Sequence, residues 1–303
     1  MTNLDIQKAY LGLDEVDKVY LGSEQVYPTG PTGYASMYLT AEILSGGVLT
    51  ISNSGVSYSV NDGPWTQVPS TTSTGSSRTY KLSVNSGDKI RFKGNQAGAY
   101  AFYYNESRVN QLSALCFYDI YGNILSLEYG DNFEGQTGFL TTYRPVYSAF
   151  RLGGLPSAKL SDKGIRSAEH LVLPPTVVEA CYRSCFHGNI NMVTAPELPA
   201  KVPAADCYNY MFGECFSLTA TPVVQLESLA SASCYQMFRY DSGLTEITCL
   251  AQSGINQDNS TYAWISGVAA NGTFYKHPNA TWPSGNNGIP TGWTVQDYVA
   301  PNP

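Results

Sequence analysis

The heptapeptide CYRSCFH places Cys181, Cys185 and His187 within one short stretch, a grouping of soft ligands and a nucleophile that invites a chemical reading. Two thiols and an imidazole can bind zinc, but a structural site needs four ligands in short paired spacings. No second Cys/His group supplies the remainder. A thiol nucleophile needs a base, and Cys185 or Cys215 would draw on His170, His187 or His277. No motif joins any of these or builds an oxyanion hole. Thiols that serve as small apolar core residues account for the same positions more simply. Glycoside hydrolysis calls for two carboxyl groups, for which Asp131 and Glu134 in GDNFEG are the pair to consider, yet Gly-flanked acidic residues ordinarily make turns. The same segment lacks the alternating acidic ladder of a calcium loop. No glycine-rich phosphate loop, nucleophile elbow or HExxH helix is present either. The sequence therefore predicts a protein that is not an enzyme and that uses no cofactor and no metal.

Aromatic residues are the enriched group that can recognise a ligand. Tyr100, Tyr103 and Tyr104 in AYAFYYNES, with Trp65 upstream, are candidates for a sugar-stacking platform. The competing reading is that a β-domain spends its aromatics on core packing and cross-strand pairs.

Composition supports a β-rich protein with a nearly neutral surface. Charged residues make up 14% of the 303, well under the usual ~25%, while 23 Tyr and 28 Gly are prominent. With 17 Lys and Arg against 24 Asp and Glu the net charge is −7, and there is no basic run. Counterion release, which drives nucleic-acid binding, has nothing to act through. The opening MTNLDIQK is not a cationic segment leading into an apolar one, and no later stretch reaches the ~18 apolar residues of a membrane span. The expectation is a chain that folds in a cytoplasm, without membrane insertion. Seven cysteines, an odd number spread through a chain of this size, are expected to be reduced and mostly buried.

The elements that must position these residues fall into five segments. Residues 1–30 carry a duplication, Tyr10-Leu11-Gly12 with Val16 and then Tyr20-Leu21-Gly22 with Val26. Each copy is apolar on both faces of a strand, so it is expected to order only against a partner. TGPTG at 29–33 is a turn-rich hinge. Residues 31–105 alternate in roughly six short strands, with turns at Asn61-Asp62-Gly63 and at Asn85–Asp88, the pattern of a β-sandwich. Residues 106–165 connect to, and cap, a repeat region at 166–250. There Cys181-Tyr182, Cys207-Tyr208 and Cys234-Tyr235 recur at steps in the twenties. Phe186, Phe212 and Phe238 follow them, and Met192, Leu218 and Leu244 stand six positions later. Such a period, with one short helical and one short extended piece per unit, predicts a leucine-rich-repeat α/β solenoid whose cysteines stack as an interior ladder. Residues 251–303, with Trp282 and Trp293 among Pro and Gly turns, form its C-terminal cap.

The unit APELPAKVPAADCYNYMFGECFSLT resembles the BspA-type leucine-rich repeats of Bacteroides-group surface proteins and of phages that infect those hosts. The closing GTFYKHPNATWPSGNNGIPTGWTV extends the likeness, and so does the SMYLTAEIL…SVNDGPWT…GDKIRFKG stretch, read as an Ig-like sandwich. The YLG…V copies look like short leader modules that attach fibre and tail proteins to phage particles. The resemblance implies a virion structural protein, a head or tail fibre or decoration subunit. It would dock to other virion proteins through its N-terminus, assemble as a homo-oligomer with a trimer preferred, and present its outer part to host glycans or proteins. A bacterial cell-surface adhesin with the same repeats is the alternative.

Overall fold

The computed structural model describes residues 32–51, 55–69, 80–95, 112–152 and 163–300, and the backbone of short strands at 10–11, 14–15, 19–21, 24–27, 104–105 and 108–109. Strand accounts for 29% and helix for 4%, with no closed barrel, so the fold is mainly β. Near the N-terminus β1 (Tyr10–Leu11) pairs with β2 (Asp14–Glu15), and β3 (Val19–Leu21) pairs with β4 (Glu24–Tyr27), both antiparallel. One helical turn, α1 (Thr32–Ala35), leads into β5 (Leu39–Ile43), β6 (Gly47–Ile51), β7 (Val56–Val60), β8 (Thr66–Gln67), β9 (Tyr80–Val84) and β10 (Lys89–Gly94). Then come β11 (Tyr104–Asn105), β12 (Arg108–Val109), β13 (Leu112–Ala114), β14 (Phe117–Asn123) and the short helix α2 (Ser126–Tyr129).

Two sheets form from these strands. The larger runs β14, β5, β10, β7, β8, and the smaller runs β13, β6, β9. Sheet pairing thus continues past residue 105 into β13 and β14. Period-2 alternation explains why the sheets face each other. Leu39, Ala41 and Ile43 on β5, Ile90 and Phe92 on β10, and Leu49 and Ile51 on β6 all turn into one buried cluster. Local chemistry makes the turns. Asn61 and Asp62 both adopt positive φ, 49° and 60°, and the Gly63 amide donates to the Val60 carbonyl, the type I′ geometry these residues favour. At Asn85–Asp88 the Asp88 carboxylate accepts the Asn85 amide while Gly87 takes φ 90°. Where β5 meets β10, buried Ser126 accepts the Leu39 amide and donates to the Phe92 carbonyl, so neither backbone group is orphaned.

Strand β14 has a second role. On its other side it pairs in parallel with β15 (Gly164–Ile165) and β16 (Leu171–Val172). Parallel bridges continue the series at Ser167 to Thr194, Leu198 to Val224 and Val224 to Cys249. It ends in the parallel sheet β17 (Glu246–Cys249), β18 (Thr273–Lys276), β19 (Thr294–Asp297). Opposite this extended side runs a second line of stacked segments, centred on residues 146, 182, 208, 234 and 261. The amides of Tyr182, Ser184 and Phe186 donate to the carbonyls of Cys207, Asn209 and Met211, and those of Tyr208, Tyr210 and Phe212 donate to Ser233, Tyr235 and Met237.

The short helical piece expected in each unit is not there. Among the described residues after Asn132 no helix occurs. Every second amide leaves for the next winding, so an i to i−4 ladder cannot form. The intervening amides, such as Arg183 to Ala180 and Cys185 to Tyr182, close four-residue turns instead. Every fourth residue then takes positive φ: Ala180 and Ser184, then Asp206, Tyr210 and Glu214, then Ala232, Gln236 and Tyr240. A left-handed L-residue costs roughly 1–2 kcal/mol, which bonds between windings must offset.

The ladder register also differs from the sequence alignment. Phe186, Phe212 and Phe238, each 26 residues after the last, stack at 5.5 and 5.7 Å with rings nearly parallel. The Cys181 thiol donates to the Cys207 carbonyl, and the Cys207 thiol points to the carbonyl of Ser233. The column is thus Cys181, Cys207, Ser233, and Cys234 instead follows Tyr182 and Tyr208. The third unit has one residue fewer between its Cys-Tyr pair and its Phe. Keeping the large Phe rings in register preserves more buried area than aligning thiols, so the Cys-Tyr pair moves by one position. At the far end Trp264 is fully buried, and its indole donates to the Gly288 carbonyl. Gly288 lies so close to the Pro283 carbonyl oxygen that an added Cβ would stand 1.9 Å from it.

Candidate functional site

The outer face of the larger sheet follows from the same alternation. With Leu39, Ile90 and Phe92 inward, Tyr38, Arg91 and Lys93 turn outward. The type I′ turn reverses the chain after β7 and returns Trp65 to this face at the start of β8. The Trp65 and Tyr38 rings meet edge to face at 4.9 Å, and Tyr38 also touches Phe133 at 5.1 Å. The Lys93 ammonium sits 4.5 Å and the Arg91 guanidinium 5.4 Å from the Trp65 ring centre, within cation–π range. The Asp131 carboxylate accepts Lys93 Nζ at 2.6 and 2.8 Å and the Tyr38 hydroxyl at 2.6 Å. Arg91 pairs with Asp62 at 2.8 Å.

The Lys93 ammonium, and next the Tyr38 hydroxyl, hold the Asp131 carboxyl below its ordinary range. Burial, followed by the bond to Asp131, pushes the Tyr38 hydroxyl up to about 12. The cluster therefore sets Arg91, Lys93, Asp62 and Asp131 around an indole and a phenol that stays neutral at pH 7. Such a set can bind by stacking and hydrogen bonding. Asp131, considered above as a hydrolytic carboxylate beside Glu134, is engaged with Lys93 and Tyr38.

The other candidate residues lie elsewhere. Tyr10, Leu11, Tyr20, Leu21 and Val26 fall on β1, β3 and β4, while Gly12, Val16 and Gly22 lie outside the described residues. The two hairpins agree in register next to their turns, Leu11 opposite Asp14 and Leu21 opposite Glu24, and the second adds an irregularity between Val19 and Tyr20. Each YLG copy therefore opens one hairpin with a two-residue connection. Tyr100 and Tyr103 lie outside the described residues, and Tyr104 is placed only by its backbone on β11. Cys181, Phe186, Cys207, Phe212, Leu218, Cys234, Phe238 and Leu244 are all buried between windings. All seven cysteines are buried and none forms a disulfide. Burial raises the Cys185 and Cys215 thiols above their ordinary value, which suppresses the nucleophilic thiolate. His187 is buried with its ring stacked on Tyr210 at 4.4 Å. Among the described residues no three His, Cys, Asp or Glu side chains converge to hold a metal ion, and no helix is long and apolar enough to cross a membrane.

Sequence reasoning passed over Tyr38, Arg91 and Lys93. Their outward direction is readable from alternation in SMYLTAEIL and KIRFKG, but their meeting with Trp65 and Asp131 depends on strand register. Comparison with protein-family models finds no matching family, and comparisons with curated proteins and with solved structures find no match.

Proposed function

We propose that the chain is a non-enzymatic structural protein of a phage virion, a head or tail fibre or decoration subunit. Residues 1–30 dock it to other virion proteins, and the sheets and windings project outward for adhesion to host surface glycans or proteins. In this reading the paired sheets are an Ig-like sandwich. The windings are a BspA-type leucine-rich-repeat solenoid in which a ribbon of turns replaces the helix. Residues 251–303 cap it, and the subunit assembles as a homotrimer.

The observation that carries the reading is the N-terminal duplication. Two hairpins with the same pairing next to their turns follow one another, and a lone two-stranded hairpin is marginal in water. Repeating a unit that cannot stand alone is understandable where a partner supplies the missing contacts, two sites at a time, because linked sites bind with high effective concentration. Buried thiols and an Asp131 engaged by Lys93 support the absence of catalysis.

Particles made with a chain lacking residues 1–30 are expected to assemble with normal morphology and to carry none of this protein by mass spectrometry. Incorporation of the truncated chain at the full-length level refutes N-terminal docking.

A further inference from the structure

We infer that the Trp65 cluster is a binding site for a neutral, hexose-containing glycan. The inference rests on the adhesion reading above and names the ligand class of its outward face. Four tryptophans occur in the chain. Trp264, Trp282 and Trp293 are buried, while Trp65 alone stays partly exposed, although Tyr38, Arg91 and Lys93 all pack against it. A tryptophan serving only the core has no reason to remain on a polar face. The indole provides a flat apolar surface on which the C–H face of a pyranose stacks, with the Tyr38 ring edge-on beside it.

Charge selects the class. Arg91 and Lys93 are donor-only, while Asp62, Asp131 and, near Tyr38, Glu134 are acceptor-only. A neutral polyol uses both kinds at once, since each hydroxyl donates and accepts. An anionic ligand would confront the carboxylates, and a cationic one the ammonium and guanidinium. Asp62 and Asp131 keep side chains 82% and 61% exposed, so their oxygens remain accessible while holding Arg91 and Lys93 in place.

The test uses the purified full-length chain and isothermal titration calorimetry. Maltohexaose, cellohexaose and mannohexaose are the neutral probes, and a sialylated and a sulfated oligosaccharide are the charged ones. At least one neutral probe is expected to bind, and more tightly than either charged one. Trp65→Ala should weaken that binding about tenfold, the equivalent of one stacking contact. Asp62→Asn, which keeps a residue that tolerates the positive φ of this turn and removes only the charge facing Arg91, should weaken it several-fold as Arg91 loses its ion pair. Thermal melting reports whether Trp65→Ala still folds, and if it does not, Asp62→Asn decides. Absence of neutral binding, preference for a charged probe, or unchanged affinity in the folded variants overturns the assignment. Loss of residues 1–30 should leave this binding intact, so failure of docking and failure of the glycan site are distinguishable.

Discussion

Replacing Asp241 with asparagine is expected to stabilise the protein at neutral pH and to remove part of its pH dependence. Asp241 is completely buried, at the position that Asn189 and Cys215 hold in the two preceding windings. Asn189 shows what the position asks for. Its amide oxygen accepts the Ile165 amide, and its nitrogen donates to the carbonyls of Phe150 and Phe186. Asp241 reproduces the acceptor half, taking the Cys215 amide at 2.8 Å, while its second oxygen has no partner among the described residues. A carboxylate there would be a buried anion without a cation. Burial, the dominant cause, raises this carboxyl far above its ordinary value.

A raised acid binds a proton in the folded state that it releases when unfolded. Its contribution to stability is complete below the ordinary value near 3.8 and declines as pH rises towards the folded value. Each pH unit in that window costs about 1.4 kcal/mol. Asparagine supplies the missing donor and does not titrate. Urea unfolding followed by tryptophan fluorescence at pH 4.5 and 7.5 measures the effect. Asp241→Asn should differ little from the parent at pH 4.5 and exceed it at pH 7.5 by about 1.4 kcal/mol or more, one pH unit's worth of the window. Equal or lower stability of the variant at pH 7.5, with the parent's pH slope retained, refutes the reasoning.

Three further outcomes are expected. Phe212→Ala, between Phe186 and Phe238, should cost about 3–5 kcal/mol in the same unfolding assay, the penalty for emptying a phenyl site in a packed core. Ser126→Ala should cost about 1–3 kcal/mol, because the Leu39 amide and the Phe92 carbonyl both lose their partner. Ellman's reagent should label none of the seven cysteines in the folded protein and all of them in urea, with labelling under native conditions counting against buried thiols.

The sequence was most legible where one residue type dictates one local geometry. Asn61-Asp62-Gly63 announced its turn because few residues tolerate two successive positive φ angles, and β5 to β10 followed from alternation between such turns. The repeat period was legible through Phe186, Phe212 and Phe238. The turn ribbon was not, because its left-handed positions hold mostly Ala, Ser, Asp, Arg, Tyr, Glu and Gln, with Gly or Asn in that series only at Gly188, Asn259 and Gly267. Local preference opposes that conformation at most of these sites, and only bonding between windings selects it. For the same reason Cys234 was misaligned. Residue identity favoured matching Cys with Cys, whereas the folded register is decided by Phe rings that share a column. The Trp65 cluster was hidden by distance along the chain, since Tyr38, Lys93 and Asp131 meet only through strand pairing.

Strand β14 links the two halves of this architecture. It is an antiparallel neighbour of β5 in the larger sheet and, on its opposite edge, the first parallel partner in the series that runs to β19. Gly122 permits this double contact. Its φ is 86°, and an added Cβ would stand 2.2 Å from the Tyr38 carbonyl oxygen. The Gly122 amide meanwhile donates to the His170 carbonyl in the next winding. A parallel stack otherwise begins with an unpaired edge that can recruit another chain, and here the sheet fills that edge with its own strand. The sheet therefore acts as the template on which the first winding is laid, and the windings inherit its orientation through backbone bonds without a linker. Tyr38, on the sheet's outer face, thus stands one residue before the strand that pairs with β14, so the Trp65 cluster and the start of the stack share one short segment of chain.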